Sequence, residues 1–363
     1  MVSFKPSDEQ ELIRETMASF AREILRPHMR EADETQAVPG DVIARGWELG
    51  LVQSTIPEAF GGYGDVRSAV TGTLLLEELA YGDLASALHL LTPRLFTLPL
   101  ILHGTPAQQQ QWLGRFAGDR FTAATAAFLE PSWDFDPTAL KTKAQKVGGD
   151  FVLTGEKCLV PLAAQAQAIL VYAATPEGLG AFVVEPKAPG VMITEREQNM
   201  GVKALDTFGL KLDGVKVPAA NRLGDASTNL QATIDAGRVA IAALAVGVSR
   251  AAFDHARDYA KERRAFGQAI GQKQAIAFML ANMATEIDSM RLLAWEAAWK
   301  LDRGEPATRE ACLAKLYAGQ AALKITDDAV QVLGGHGYIR EHPVELFLRN
   351  ARGFATFDGL AIV

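Results

Sequence analysis

The 363-residue sequence reads as an α+β chain in three parts: a helical N-terminal domain, a central antiparallel β-barrel or sandwich, and a C-terminal helical bundle. Three observations carry this reading. Apolar residues recur at helical spacing as far as Phe116. From Phe121 to about Asn221 the texture changes to short β-rich runs between turn residues. From Leu230 the helical period returns and persists. The expected boundaries fall at 1–118, 119–229 and 230–363.

In the first part, Ser7-Asp-Glu-Gln10 has the form of a capping box, and Leu12, Ile13, Met17, Phe20 and Ile24 follow at helical spacing. Pro39 opens a second helix reaching Leu49, and Ile56 to Gly62 is a turn rich in breakers. Ser68 to Tyr81 and Leu84 to Leu91 read as two more helices. Thr105-Pro-Ala-Gln108 repeats the capping box, with proline at the first helical position, and opens a helix to Phe116.

The β part contains runs beginning at Phe151, Ile169, Ala181, Val191, Gly209 and Val215. Gly148-Gly149-Asp150 and Leu212-Asp213-Gly214 read as hairpin turns. The last part carries three apolar stripes. Ile241, Leu244, Val248, Ala252, His255 and Tyr259 form the first. Ile276, Met279, Met283, Ile287 and Leu293 form the second, and Leu316, Ala322, Ile325, Ala329 and Val332 the third. Long helices with such seams pack as a bundle.

Composition narrows the function. A formal charge of -7 argues against broad nucleic-acid or anionic-membrane binding, since either needs a basic face. Cys158 and Cys312 form neither a ligand cluster nor a disulfide framework, which points to a reducing cytoplasm. The N-terminus lacks the basic head and apolar run of a signal peptide. The apolar window Leu84 to Leu102 is interrupted by Pro93, Arg94 and Pro99, so buried helices are expected there rather than a membrane span. His89, His103, His255, His336 and His342 are scattered without a ligand pair, and no metal site is expected.

Five strings, in order, carry a family resemblance. They are Ile56-Pro-Glu-Ala-Phe-Gly-Gly-Tyr-Gly64, His103-Gly-Thr-Pro-Ala-Gln-Gln-Gln-Gln-Trp112, Glu130-Pro131, Tyr259-Ala-Lys-Glu-Arg-Arg-Ala-Phe-Gly267 followed by Gln274, and Gln331-Val-Leu-Gly-Gly-His-Gly-Tyr-Ile-Arg-Glu341. With the α–β–α order they resemble the acyl-CoA dehydrogenase family over essentially the whole chain. The resemblance implies that family's fold, with a C-terminal four-helix bundle, and α,β-dehydrogenation of an acyl-CoA thioester. That chemistry needs a base for the α proton, donors for the enolate oxygen and an acceptor for the β hydride. No side chain accepts hydride, and in this family FAD does.

The resemblance further implies an oligomer in which each flavin lies between two chains, with electron-transfer flavoprotein as the electron acceptor. Arg263, Phe266, Gln274, Gln331, Gly334 and Gly335 match the contacts to a neighbour's dinucleotide, and Glu130 lies in the flavin-binding strand motif. Arg238 matches the arginine beside the substrate, and Asp358 stands where many members carry the glutamate base. An ordinary loop aspartate is an equal reading of Asp358. Other departures are Leu129 and Val160 on the flavin side, Leu360 after the base, and Gly237 where a second branch carries its carboxylate. Two functions therefore stand side by side. One is a self-sufficient dehydrogenase with Asp358 as base. The other is a weak or silent subunit of a heteromer, such as a heterotetramer, that lends its dinucleotide contacts to a related partner.

Overall fold

The computed structural model describes residues 5–64 and 67–363, so the first four residues of the segment read for a leader lie outside it. Among the described residues, seven α-helices come first: α1 Asp8–Phe20, α2 Arg26–Thr35, α3 Gly40–Glu48, α4 Ala69–Gly82, α5 Leu84–Leu91, α6 Arg94–His103 and α7 Pro106–Trp112. Both capping boxes form, on Ser7 with Gln10 and on Thr105 with Gln108. A π-helical turn, Ala21–Leu25, joins α1 to α2 without a break.

The strands are β1 Thr125–Ala127, β2 Lys143–Val147, β3 Asp150–Pro161, β4 Ile169–Thr175, β5 Gly178–Val184, β6 Val191–Arg196 and β7 Thr207–Val217. They form one sheet in the order β1-β4-β2-β3-β7-β6, with β5 also on β4. The expected antiparallel barrel is corrected here. β1 and β2 both meet β4 in parallel, and the sheet does not close. Alternation of side chains sets which face a residue takes and says nothing of strand direction. The Gly148-Gly149 turn does join β2 to β3. Asp213 and Gly214 instead lie within β7, which runs through them as a single strand.

Three long helices follow: α8 Gln231–Glu262, α9 Gln274–Asp302 and α10 Thr308–Leu333. A two-stranded hairpin, β8 Arg264–Ala265 with β9 Gln268–Ala269, links α8 to α9. The short α11 Gly335–Tyr338 and α12 Val344–Ala351 follow, and α12 packs on α8 and α10 as the bundle's fourth member. Leu316, expected in the third stripe, faces outward at 61% exposure. By length and composition α8 is apolar enough to cross a membrane, yet 89% of its apolar window is buried in this fold as the central core helix.

Close backbone approach and buried ions fix α8 against α4. A side chain at Gly247 would meet the Glu77 carbonyl oxygen at 2.2 Å, so only glycine allows this crossing. Arg250 on α8 holds Glu78 at 2.8 Å, and Arg291 on α9 holds Glu77 at 2.9 Å. Asp33 on α2 binds Arg349 on α12 at 2.7 Å and lies 3.8 Å from Lys203 in the loop before β7. The three parts meet at this carboxylate.

Candidate active site and dinucleotide cradle

Asp358 follows α12 and a short 3-10 turn, and only 6% of it is exposed. It opens on a cavity of about 30 Å³ between Leu95 and Pro99 of α6, Phe128 after β1, Thr233 and Gly237 of α8, and the segment Gly359 to Ile362. Its carboxylate lies 3.5 Å from the Lys315 ammonium and 3.8 Å from the Arg238 guanidinium. Arg238 also donates to the Cys312 sulfur at 3.0 Å. At Gly237 an added Cβ would come within 3.3 Å of the Ala361 carbonyl oxygen, which explains a small residue there. Phe128 fills space beside Asp358, edge-on to Tyr172 at 5.1 Å and to Phe135 at 5.5 Å.

Glu130 is fully committed to the interior. It accepts from the Lys157 ammonium at 3.0 Å and from the amides of Lys141 and Thr142 at 2.7 and 2.8 Å. Burial pushes its carboxyl up, but Lys157 and these amides outweigh burial and hold it below its usual value. Lys157 donates to the Phe128 carbonyl as well, at 3.0 Å, so the pair anchors the strand end that leads into Leu129. Leu129 and Val160 are buried and bring no hydroxyl to this wall. The loop beyond is exposed and tied to itself: Lys141 pairs with Asp134 at 2.6 Å, and Asp136 accepts from the Thr138 amide at 2.8 Å.

A second concavity, of about 480 Å³, lies between the ends of α8 and α10. Tyr259, Arg263, Ile270, Gly334, Gly335 and His336 are among its walls. Gly334 has φ +58° and ψ −130°, and an added Cβ at Gly334 or Gly335 meets nothing within 4 Å. The floor is therefore bare backbone open to a ligand. Arg263 forms no ion pair among the described residues. The structure thus gathers Arg263, Gly334 and Gly335 in one groove, while Phe266, Gln274 and Gln331 stand exposed on the surface. Phe266 is 95% exposed on the β8–β9 turn, at φ +51°. A free guanidinium, open backbone and a presented aromatic ring fit the flat, anionic half of a dinucleotide.

Tertiary structure adds residues that spacing did not reveal. His336 binds the Tyr259 hydroxyl at 2.9 Å, and His342 meets His255 at 3.1 Å, so histidines far apart in sequence line up beside the groove.

Comparison with known proteins matches this arrangement over the whole chain. The acyl-CoA dehydrogenase N-terminal, middle and C-terminal domain families match residues 7–119, 125–215 and 228–361. A probable acyl-CoA dehydrogenase of Bacillus subtilis, YngJ, is 36% identical over 368 aligned positions, covering 99% of this chain and 96% of the relative. A 3-(aryl)acrylate reductase of Clostridium sporogenes is 33% identical over 98% of this chain and 96% of its own length. The structure of butyryl-CoA dehydrogenase from Megasphaera elsdenii superposes with a TM-score of 0.89 at 31% identity, over 99% of this chain and 96% of that one. The chain is therefore a member of the acyl-CoA dehydrogenase family, a flavin-linked oxidoreductase whose cofactor is FAD.

Proposed function

We propose that the protein carries out α,β-dehydrogenation of an acyl-CoA thioester, with Asp358 taking the α proton. The observation behind this is the buried Asp358 carboxylate between Arg238 and Lys315, at 3.8 and 3.5 Å, opening on an apolar cavity. A carboxylate lining an apolar cavity can take the α proton once the α carbon lies within hydrogen-bond reach. Arg238 orients the thioester, and the Asp358 amide donates to its oxygen as charge develops there. FAD, when bound, supplies the two-electron acceptor that side chains lack. Electron-transfer flavoprotein is the partner expected to reoxidise it. Replacing Asp358 with Asn is expected to slow dehydrogenation roughly 10²- to 10⁴-fold. Undiminished turnover would take Asp358 out of this role.

Two observations favour a heteromeric form of the same activity. The Asp358 cavity of about 30 Å³ has room for roughly one water, so a thioester enters only when Phe128 or the segment after Asp358 gives way. The wall at Leu129 and Val160 offers no hydroxyl, whereas the groove at Arg263, Gly334 and Gly335 is open. In this form the chain holds a related partner's dinucleotide across the interface. A visible spectrum of the chain purified alone, and again after co-expression with its genomic neighbours, separates the two. Flavin bands near one FAD per isolated chain support self-sufficiency. A colourless chain that turns yellow only with a partner, near one FAD per pair, supports the mixed assembly.

A further inference from the structure

We infer that His336, its ring set by the Tyr259 hydroxyl, is a further phosphate ligand of the dinucleotide groove and donates from Nε2 beside Arg263. The inference rests on the reading of this groove as the cradle for the phosphate half of FAD, and adds to it a residue to which the motif strings give no role.

Tyr259 and Arg263 stand one helical turn apart at the end of α8, so their side chains leave the same face, and both line the groove together with His336. His336 follows the bare floor at Gly334 and Gly335 and is half-buried. Its Nδ1 meets the Tyr259 hydroxyl at 2.9 Å. His342 stands edge-on to both rings, 5.9 Å from His336 and 5.5 Å from Tyr259, with its own Nδ1 held by His255 at 3.1 Å. The His336 imidazole is thus fixed on two sides, and its Nε2 has no partner among the described residues. No carboxylate is among the described residues that line the groove, so no acid there competes for Nε2 or for the Arg263 guanidinium. Asp258, beside Tyr259 in sequence, is taken up by Arg257 at 2.9 Å.

The Tyr259 hydroxyl decides what Nε2 can do. A neutral imidazole carries one N–H, and a phosphate needs it on the nitrogen left free at the groove. A hydroxyl that donates to Nδ1 puts the proton on Nε2, and the same hydroxyl accepts when the ring is an imidazolium. Both states offer a donor to an anion, and a bound anion disfavours the one tautomer that offers a lone pair instead. The phosphate then has the guanidinium fork of Arg263, the Nε2–H of His336 and the open backbone at Gly334 and Gly335 around it. The exposed Phe266 ring supplies a stacking surface for the base, which leaves the His336 nitrogen for the oxyanion.

The test is run on the FAD-loaded protein, with any partner that co-purifies. FAD release is read from flavin fluorescence as the loaded protein is diluted, and ADP is compared with adenosine as a competitor for rebinding. His336→Leu is expected to weaken FAD and ADP about 10-fold or more, the scale of one charge-assisted hydrogen bond, and to leave adenosine within about 2-fold. His336→Gln, whose amide N–H can replace Nε2–H, recovers part of the loss. Tyr259→Phe is expected to weaken FAD several-fold in the native background and not at all beside His336→Leu, because the hydroxyl acts through the ring. Equal weakening of ADP and adenosine overturns the phosphate contact and makes the ring a stacking surface. A Tyr259→Phe loss of the same size in both backgrounds overturns the positioning by Tyr259. Arg263→Met separates the inference from the reading beneath it. If that variant releases FAD and His336→Leu does not, the histidine has no part in a working cradle; if neither releases it, the groove is not the cradle.

Discussion

His89 and Asp358 are both buried polar residues, but their surroundings differ. Asp358 has two cations beside it, whereas neither ring nitrogen of His89 has a partner and the ring packs on Phe121 at 5.2 Å. Burial pushes the His89 imidazole down to about 4 from an ordinary 6.5. Between those values the unfolded chain binds a proton that the folded chain refuses. Stability therefore falls as pH drops from 6.5 toward 4, by up to about 3 kcal/mol. His89→Leu is expected to raise the urea midpoint at neutral pH and to flatten its decline between pH 7 and 5. Parallel declines in the two proteins would show that His89 does not carry the effect. His89 does not announce this in sequence. A lone histidine or arginine in an apolar run signals burial only after neighbouring helices close over it, and that closure is tertiary.

The helices behaved differently from the strands because their signals are local. Ser7 with Gln10 and Thr105 with Gln108 are three residues apart, so each cap could be read from a single turn. The sheet's parallel pairings join β1 and β2 to β4 across long intervals, and no short string encodes them. Arg263, Gly334 and Gly335 were legible as motif strings, but their meeting in one groove with a bare floor needed the structure. These two glycines separate backbone strain from ligand approach. Gly334→Ala forces a side chain onto φ +58°, ψ −130°, and is expected to cost about 1–3 kcal/mol of stability along with FAD retention. Gly335 has no such backbone constraint and open space around it, so Gly335→Ala leaves the melting temperature within about 1 °C while FAD retention falls. The ratio of flavin to protein absorbance, read beside the melting curve, checks both. Unchanged retention in Gly335→Ala would mean that no ligand approaches this floor.

At the scale of the molecule, buried carboxylates tie the three parts together, and Asp33 reaches furthest. It accepts from Arg349 at 2.7 Å and from Arg340 at 3.2 Å, with Lys203 at 3.8 Å, joining α2 to α12 and to the loop before β7. Burial pushes its carboxyl up, but Arg349, Lys203 and Arg340 outweigh burial and hold it below the usual value. Glu345, bound by Arg349 at 2.8 Å, is lowered in the same way despite its burial. For such groups the unfolded chain takes up protons first as pH falls. Their contribution is therefore complete above the ordinary carboxylate range and is lost on acidification through it. Asp33→Asn is expected to destabilise the protein by about 3 kcal/mol at pH 7, since it leaves three cations facing a neutral side chain. The deficit should shrink as pH falls through the ordinary carboxylate range, where Asp33 of the unfolded chain takes up its proton before that of the folded one. Because α12 leads through a short turn to Asp358, the same substitution should also lower turnover, although Asp33 does not line the cavity. Melting temperatures of both proteins across pH 7 to 3 decide it: a deficit that stays constant over that range would mean that the Asp33 charge does not hold the three parts together.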